Sequence, residues 1–405
     1  MQPDKEMENL LSGLMVLDLA DEKASFCSKL LADMGASVIK VEKPAGDSSR
    51  EIGPFWKNLP HPEGSLFFSY NNTNKRGITL NLEHSAGKKI FLKLVQKADV
   101  IVETFPPGYL KELDIGFEVL RKVNPRLILV SVTGFGQSGP RINYKTCDLV
   151  VSAYGGQMYV CGSHDSSPLK AFGEQSYYTS SLYAAIGVLL GLRKRALTGR
   201  GEHIDMSAQE AVVSTLEHVM VRFFYEHVIP KRTNTVYWNR SFCILPCKDG
   251  HILMTPFQHW ESLIGWLATE NMAEDLEDKR WLNQDYRLSH LDHIIEVLQR
   301  WTRSHTTREL FHLGQLMGFP WAPVQSAKDI LKCPQLKARR FFIDVDHAEF
   351  GTSVRYPYLP YKSSRFFRKQ IKRAPFRGQD NHQIYREELG LSEKDLEELV
   401  SMGAI

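Results

Sequence analysis

The sequence predicts an α/β chain, with a parallel sheet in its first half and a smaller α+β lobe after it. Three observations carry this expectation. Strand-like and helix-like patterns alternate from the start of the chain through Val132. Near Tyr225 the character changes and Trp, His and Cys become common. Beyond that point, Lys248–His251 reads as a hairpin turn between two short apolar runs.

Taken in order, Leu14–Leu19 is a short apolar run of strand formers. Ala24–Met34 places Phe26, Leu30, Leu31 and Met34 at helical spacing, and Ala36–Val41 is the next strand, ending at Glu42. Strand, helix and strand over about thirty residues form a βαβ unit, which normally lies in a parallel sheet. Further helices are expected at His84–Lys97 and Leu110–Val123, and further strands at Asp99–Glu103 and Leu127–Val132. Gly134–Pro140 is a glycine-rich turn that either reverses the chain or cradles a ligand. Tyr178–Leu197 reads as a long helix closed by the glycines of Thr198–Gly201; strand Glu202–Ser207 and helix Ala208–Phe223 follow. In the second lobe, strands Phe242–Pro246 and Ile252–Thr255 flank the hairpin. Helices at Trp260–Ala268, His293–Arg303 and Thr307–Met317 complete it to about Gln325. A basic stretch, Arg365–Arg377, and an amphipathic helix, Ser392–Met402, end the chain.

The 405 residues are 43% hydrophobic and 24% charged, which indicates a globular protein able to bury a full core. No apolar run approaches the roughly 20 residues of a spanning helix, so no membrane partner is expected. The polar, acidic start Met1–Leu11 lacks the apolar region of an export signal, and a cytoplasmic location is expected. A net charge of +3 with dispersed basic residues is no nucleic-acid footprint. Six scattered cysteines make no zinc pattern, since Cys243 and Cys247 have no completing pair, and no metal is expected. The turn Ala20–Ala24 contains no glycine, so dinucleotide phosphates could not approach its backbone as they do in a glycine-rich fingerprint.

Several stretches, in order and at matching spacing over roughly residues 12–215, resemble the class III CoA-transferases and the related α-methylacyl-CoA racemases. They are Gly13–Asp18, Leu31–Pro44, Asn74–Leu82, Ala98–Gly108, Asn124–Gly136 and Thr198–Ser207. The resemblance implies a Rossmann-like large domain, a small α+β domain and an interlocked-ring dimer. It divides the chain into a large CoA-binding domain (1–215), a linker and small domain (216–330), and a C-terminal segment (331–405) returning to the large domain. Coenzyme A or an acyl-CoA would be the substrate, with Lys43, Lys75 and Arg76 against its phosphates and Phe105 beside the adenine. Lys111 stands where the family commonly has an arginine, and a point charge is not a bidentate fork.

The resemblance also locates the family's nucleophilic aspartate, about nine residues before the middle of the long helix. That position is Tyr177 here. A phenol near its reference pKa of about 10 is a poor nucleophile at neutral pH. Glu174, three residues upstream, is a candidate replacement. The racemase histidine position is Cys147, so racemisation is disfavoured. Subunits of two-subunit benzylsuccinate-type transferases resemble this chain at the same place, with Gln-x-Tyr and a Ser-Ala-Gln-Glu-Ala segment, here Ser207–Ala211. The expectation is a non-nucleophilic subunit, partnered by a related aspartate-bearing subunit, a CoA thioester and a substituted succinate-type carboxylic acid. A self-sufficient homodimer using Glu174 and a non-catalytic acyl-CoA-binding protein are the alternatives. Val236–Phe242 replaces the glycine-rich loop of many transferases. Trp238, Phe242, Phe257 and Trp260 suit an apolar acid or an ordinary core equally.

Overall fold

A computed structural model describes residues 9–232, 237–239, 242–364 and 371–405. The chain forms two compact units: Lys170–Val221 and Ala338–Ile405 join the N-terminal residues to Gln157, while Met158–Leu169 joins Arg222–Lys337.

The first unit is built on a six-stranded sheet: β1 (Met15–Leu19), β2 (Ser37–Glu42), β3 (Arg76–Thr79), β4 (Val100–Glu103), β5 (Ile128–Thr133) and β6 (His203–Ser207). All neighbours pair in parallel, in the order β3-β2-β1-β4-β5-β6. β4 and β5 are buried along their whole length, which is why they read as continuous apolar runs rather than alternating ones. Successive residues still face opposite layers. Leu17, Ile39, Ile101 and Leu129 pack with Phe91 of helix α3 (Ser85–Lys97) and Leu120 of α5 (Phe117–Val123), whereas Val16, Val38, Val100 and Val130 pack with α1 (Ser25–Asp33) and the long helix Gln175–Thr198. The long helix ends at Gly199, whose φ of 74° is the left-handed conformation of a helix stop and whose N–H bonds the Arg195 carbonyl at 2.8 Å.

β3 is an edge strand, and the C-terminal segment covers it. The Asp380 carboxylate accepts from the Gly77 N–H at 2.6 Å and the Asn381 side chain from the Thr79 N–H at 2.9 Å. These side chains satisfy donors that would otherwise invite another strand. Residues 365–370 of the basic stretch lie outside the described residues.

The expected helix Leu110–Val123 is two helices, α4 (Tyr109–Glu112) and α5. Asp114 adopts a left-handed φ of 60° and Gly116 precedes α5, so the chain turns between them despite the continuous apolar spacing. Helix Ala208–Phe223 is likewise broken, into Ala208–Ser214 and Glu217–Glu226.

The second unit contains the antiparallel sheet β10-β9-β8-β7: β7 (Tyr237–Asn239), β8 (Phe242–Pro246), β9 (His251–Met254) and β10 (Ala322–Pro323). Trp260, Trp281, Trp301 and Trp321 are buried together in its core. Trp260 is therefore a core residue and Phe257 packs partly against that core. The Trp238 side chain and Val236, Arg240 and Ser241 lie outside the described residues.

A buried ion pair ties the first unit together. The Lys75 ammonium bonds Asp18 Oδ2 at 2.7 Å, Asn72 Oδ1 at 2.8 Å, Ser28 Oγ at 2.9 Å and the Ser25 carbonyl at 3.0 Å. It thereby joins β1, α1 and the turn after α2 (Leu66–Asn71). Burial lowers the Lys75 pKa to about 8, and Asp18 opposes that loss of charge. Removing one member of such a pair leaves an uncompensated buried charge. Asp18→Asn should therefore lower unfolding free energy by about 3–5 kcal/mol in denaturant titrations. Pairing it with Lys75→Met should cost less than the sum of the two single changes.

Candidate active site

In a parallel sheet, ligands settle outside the carboxyl ends of the strands, where the strand order reverses. Here that place lies between β1 and β4. A cavity of about 540 Å³ opens there, lined by Asp21 and Lys23 after β1, Thr104 and Phe105 after β4, and Thr133 and Lys145. A neighbouring cavity of about 280 Å³ shares Asp21, Thr104 and Phe105 and runs over Val41, Leu80 and Leu82 to Lys43 and Tyr109. Phe105 and Tyr109 form an aromatic wall with ring centroids 4.8 Å apart.

The walls are held by buried polar groups. Asp18 Oδ1 accepts from the Ala20 N–H at 3.1 Å, and Lys40 bonds both the Ala20 carbonyl and, at 2.6 Å, Asp47. Thr104 Oγ1 then accepts from the Asp21 N–H at 3.0 Å, joining the turns after β1 and β4. After β2, Glu42 receives two bonds from Arg50, each 2.7 Å, and one from the Asp47 N–H at 3.0 Å. The glycine-rich turn is anchored as well: the Gln137 N–H donates to both Asp205 oxygens, at 2.9 and 3.0 Å, while Gly134 and Phe135 line the larger cavity.

Of the residues singled out in the sequence, Lys43 and Phe105 meet in the smaller crevice. Lys111 lines a separate cavity of about 300 Å³ with Glu103, Ser131 and His203. Two expectations need correction. Lys75, expected on a phosphate, is buried and its three donors are committed to protein acceptors. Arg76 begins β3, at the opposite end of the sheet from the crevice, and pairs with Glu388. The Asn-Lys-Arg motif is therefore a structural device.

Glu174 precedes the long helix without capping it. The cap comes from Asp148, whose Oδ1 accepts from the Ser176 and Tyr177 N–H groups at 2.8 and 3.2 Å, while Oδ2 pairs with Lys170 at 2.6 Å. Burial, with Asp148 adding to it, raises the Glu174 pKa. Tyr177 is 4% exposed and packs on Val151, Ala208 and Val212. Burial, then Glu22, raises its phenol pKa above the usual range.

Sequence reading missed Thr133, Lys145, Glu22 and Glu103. Thr133 lines the larger cavity, and its Oγ1 is buried without a hydrogen-bond partner. No sequence signal marks it. Glu22, raised by burial and then by Asp21, is the charged group acting most strongly on the Tyr177 hydroxyl. Its position could have been inferred from the turn's place before α1. Among the described residues, no group of three or more His, Cys, Asp or Glu is arranged to hold a metal. No helix among them is long and apolar enough to cross a membrane.

An apolar aromatic crevice thus lies beside a larger cavity whose lining includes Lys23, paired with Asp21, and Lys145. The model of CoA-transferase family III matches residues 11–381. The chain belongs to this family. Among its curated relatives, the succinyl-CoA:(R)-benzylsuccinate CoA-transferase subunit BbsE of Thauera aromatica is 32% identical, over 97% of this chain and 98% of that protein. The succinyl-CoA–L-malate CoA-transferase beta subunit of Chloroflexus aurantiacus is 30% identical over 98% of each. A CaiB/BaiF family protein from Brucella suis superposes with a TM-score of 0.83 at 28% identity, over 94% of this chain and 99% of that one. The Rossmann-like architecture and the assignment as a CoA-transferase, acting on CoA thioesters, follow.

The third cavity is lined by a hydrogen-bonded chain that runs from the buried Glu103 carboxyl through the Ser131 hydroxyl to the exposed His203, whose Nε2 lies 2.9 Å from Ser131 Oγ. Burial raises the Glu103 pKa from 4.5 to about 7. The folded protein thus holds this proton more tightly than the unfolded chain. Its contribution to stability is complete below about pH 4.5 and lost as pH rises through about 7. Glu103→Gln should remove that loss, flattening the fall in unfolding free energy across this window by about 1–3 kcal/mol. Denaturant titrations at several pH values check it.

Proposed function

We propose that this chain is the non-nucleophilic subunit of a heteromeric CoA-transferase. The assembly would move CoA from succinyl-CoA, or a similar donor, to an aryl- or alkyl-substituted succinate-type acid. The observation that carries the reading is Tyr177, a buried phenol with a raised pKa where the resemblance places the family's aspartate. The likeness to a benzylsuccinate transferase subunit and to a malate transferase beta subunit supports it. A related subunit would supply the aspartate, and a cytoplasmic location goes with acyl-CoA substrates.

In such a transferase the aspartate attacks the thioester carbonyl, giving a mixed anhydride and CoA thiolate. The thiolate then attacks the aspartyl carbonyl and expels the donor acid. The acceptor carboxylate displaces CoA from that aspartyl thioester, and the thiolate attacks the acceptor's acyl carbon, releasing the new thioester and the free aspartate. The residues of this chain would bind and orient. Phe105 and Tyr109 would offer the adenine one aromatic wall and Lys43 would face a phosphate. Thr133 and Lys145 would receive polar groups along the larger cavity, and Lys111 would attract anions at the rim.

A second reading, a self-sufficient transferase using Glu174, is favoured by one observation: the Glu174 carboxyl is left uncommitted by the helix cap, with its pKa raised. A trapping experiment separates the two. The pure chain incubated with succinyl-CoA, then treated with borohydride or hydroxylamine, should show no mass adduct while still binding CoA. Addition of an aspartate-bearing partner should restore turnover. An adduct mapped to Glu174 would overturn the heteromer reading in favour of the second, and CoA binding without restored turnover would leave an acyl-CoA-binding protein.

Association with a second chain, in the interlocked-ring arrangement of the family, is supported by the long helix. It presents Leu182, Ile186, Leu189 and Leu190 to solvent, each at least 40% exposed, on a helix whose opposite face is core. Ile186→Glu should shift light-scattering mass toward the single chain while leaving the far-ultraviolet circular dichroism unchanged.

A further inference from the structure

The smaller crevice carries a charge arrangement that its proposed ligand would have to undo. Its floor is apolar, from Leu19, Val41, Leu80 and Leu82, and its wall is the Phe105–Tyr109 pair. Three carboxylates border it, and each already has a cation. Glu42 pairs with Arg50, Asp47 with Lys40, and Asp21 with Lys23. Lys43 is the one cation among its described lining residues.

Lys43 is not idle. Its ammonium lies 3.0 Å from Glu83 Oε1, and the same oxygen accepts from the Tyr109 hydroxyl at 2.7 Å. Glu83 sits in the turn between β3 and α3, where the Asn81 side chain accepts from its N–H at 3.0 Å. One acidic oxygen therefore occupies the point on which the crevice's cation and its phenol donor converge. A phosphate oxygen of a ligand in the aromatic slot would seek that same point. Lys43 and Glu83 are both more than half exposed, so the pair is weak and can be exchanged.

Resting on the CoA reading of this crevice, we infer that Glu83 is a specificity-determining residue, a built-in anion that competes with the ligand's ribose 3′-phosphate for Lys43 and Tyr109. It makes the chain discriminate poorly between CoA and its 3′-dephospho form. A nucleotide thioester bound here draws its affinity chiefly from the aromatic slot and from the larger cavity.

The test is calorimetric titration of CoA and 3′-dephospho-CoA into the wild-type chain, Glu83→Gln, Lys43→Met and the double variant, with thermal midpoints confirming folding. Glu83→Gln should bind CoA roughly two- to fivefold more tightly and leave 3′-dephospho-CoA unchanged. The gain should shrink at high salt, because the groups are exposed. In the Lys43→Met background, Glu83→Gln should give no gain. An equal gain for both ligands would overturn the inference by placing the diphosphate rather than the 3′-phosphate at Lys43. Weaker CoA binding in Glu83→Gln would overturn it by making Glu83 a support for its two partners. Absence of CoA binding to every variant would instead remove the CoA reading itself, and the inference with it.

Discussion

The buried pair of Asp18 and Lys75 is the constraint on which the rest of the first unit depends. An ammonium in a low-dielectric interior is tolerated only when its donors are met, and Lys75 meets four acceptors drawn from β1, α1 and the turn after α2. The other oxygen of Asp18 holds the Ala20 N–H, and so sets the direction in which the chain leaves β1. Asp21, Glu22 and Lys23 follow at once. The pair thus connects a core interaction to the shape of the crevice two residues later.

The same logic of paired charge runs along the carboxyl edge of the sheet. Glu42 with Arg50 and Lys40 with Asp47 stiffen the loop after β2, and the shared bond of Asp21 and Thr104 joins the turns after β1 and β4. What remains unsatisfied is informative against that background. The buried Thr133 hydroxyl, beside the larger cavity, has no partner, and Glu103 is a buried carboxyl whose pKa is raised to about 7. Around the long helix, Asp148 takes the cap and leaves Glu174 uncommitted, while Tyr177 fills the place of a carboxylate with an inert ring. On the proposed reading the chain binds and orients a thioester while Tyr177 takes no part in the chemistry.

Much of this was legible beforehand where local and global signals agree. β1, α1 and β2 are continuous apolar runs or helical spacings bounded by turns, and they fold as read because both faces of the sheet are covered. Lys43 and Phe105, singled out through the family resemblance, lie one and two residues past the ends of β2 and β4, and both line the smaller crevice. The misreadings have a shared cause. Apolar spacing from Leu110 to Val123 is continuous, yet a left-handed Asp114 turns the chain, and spacing contains no backbone angle. Lys75 and Arg76 are adjacent basic residues, but one begins inside the core and the other lies at the wrong end of a strand.

By itself the sequence determined the family and the alternation of strands and helices, because these reside in residue identity and order. The tertiary structure alone decided which cations are free to meet a ligand. Charge is visible in a sequence, but its partner is not: Asp18 and Lys75 are far apart along the chain, as are Lys43 and Glu83, and only folding brings each pair within 3.0 Å.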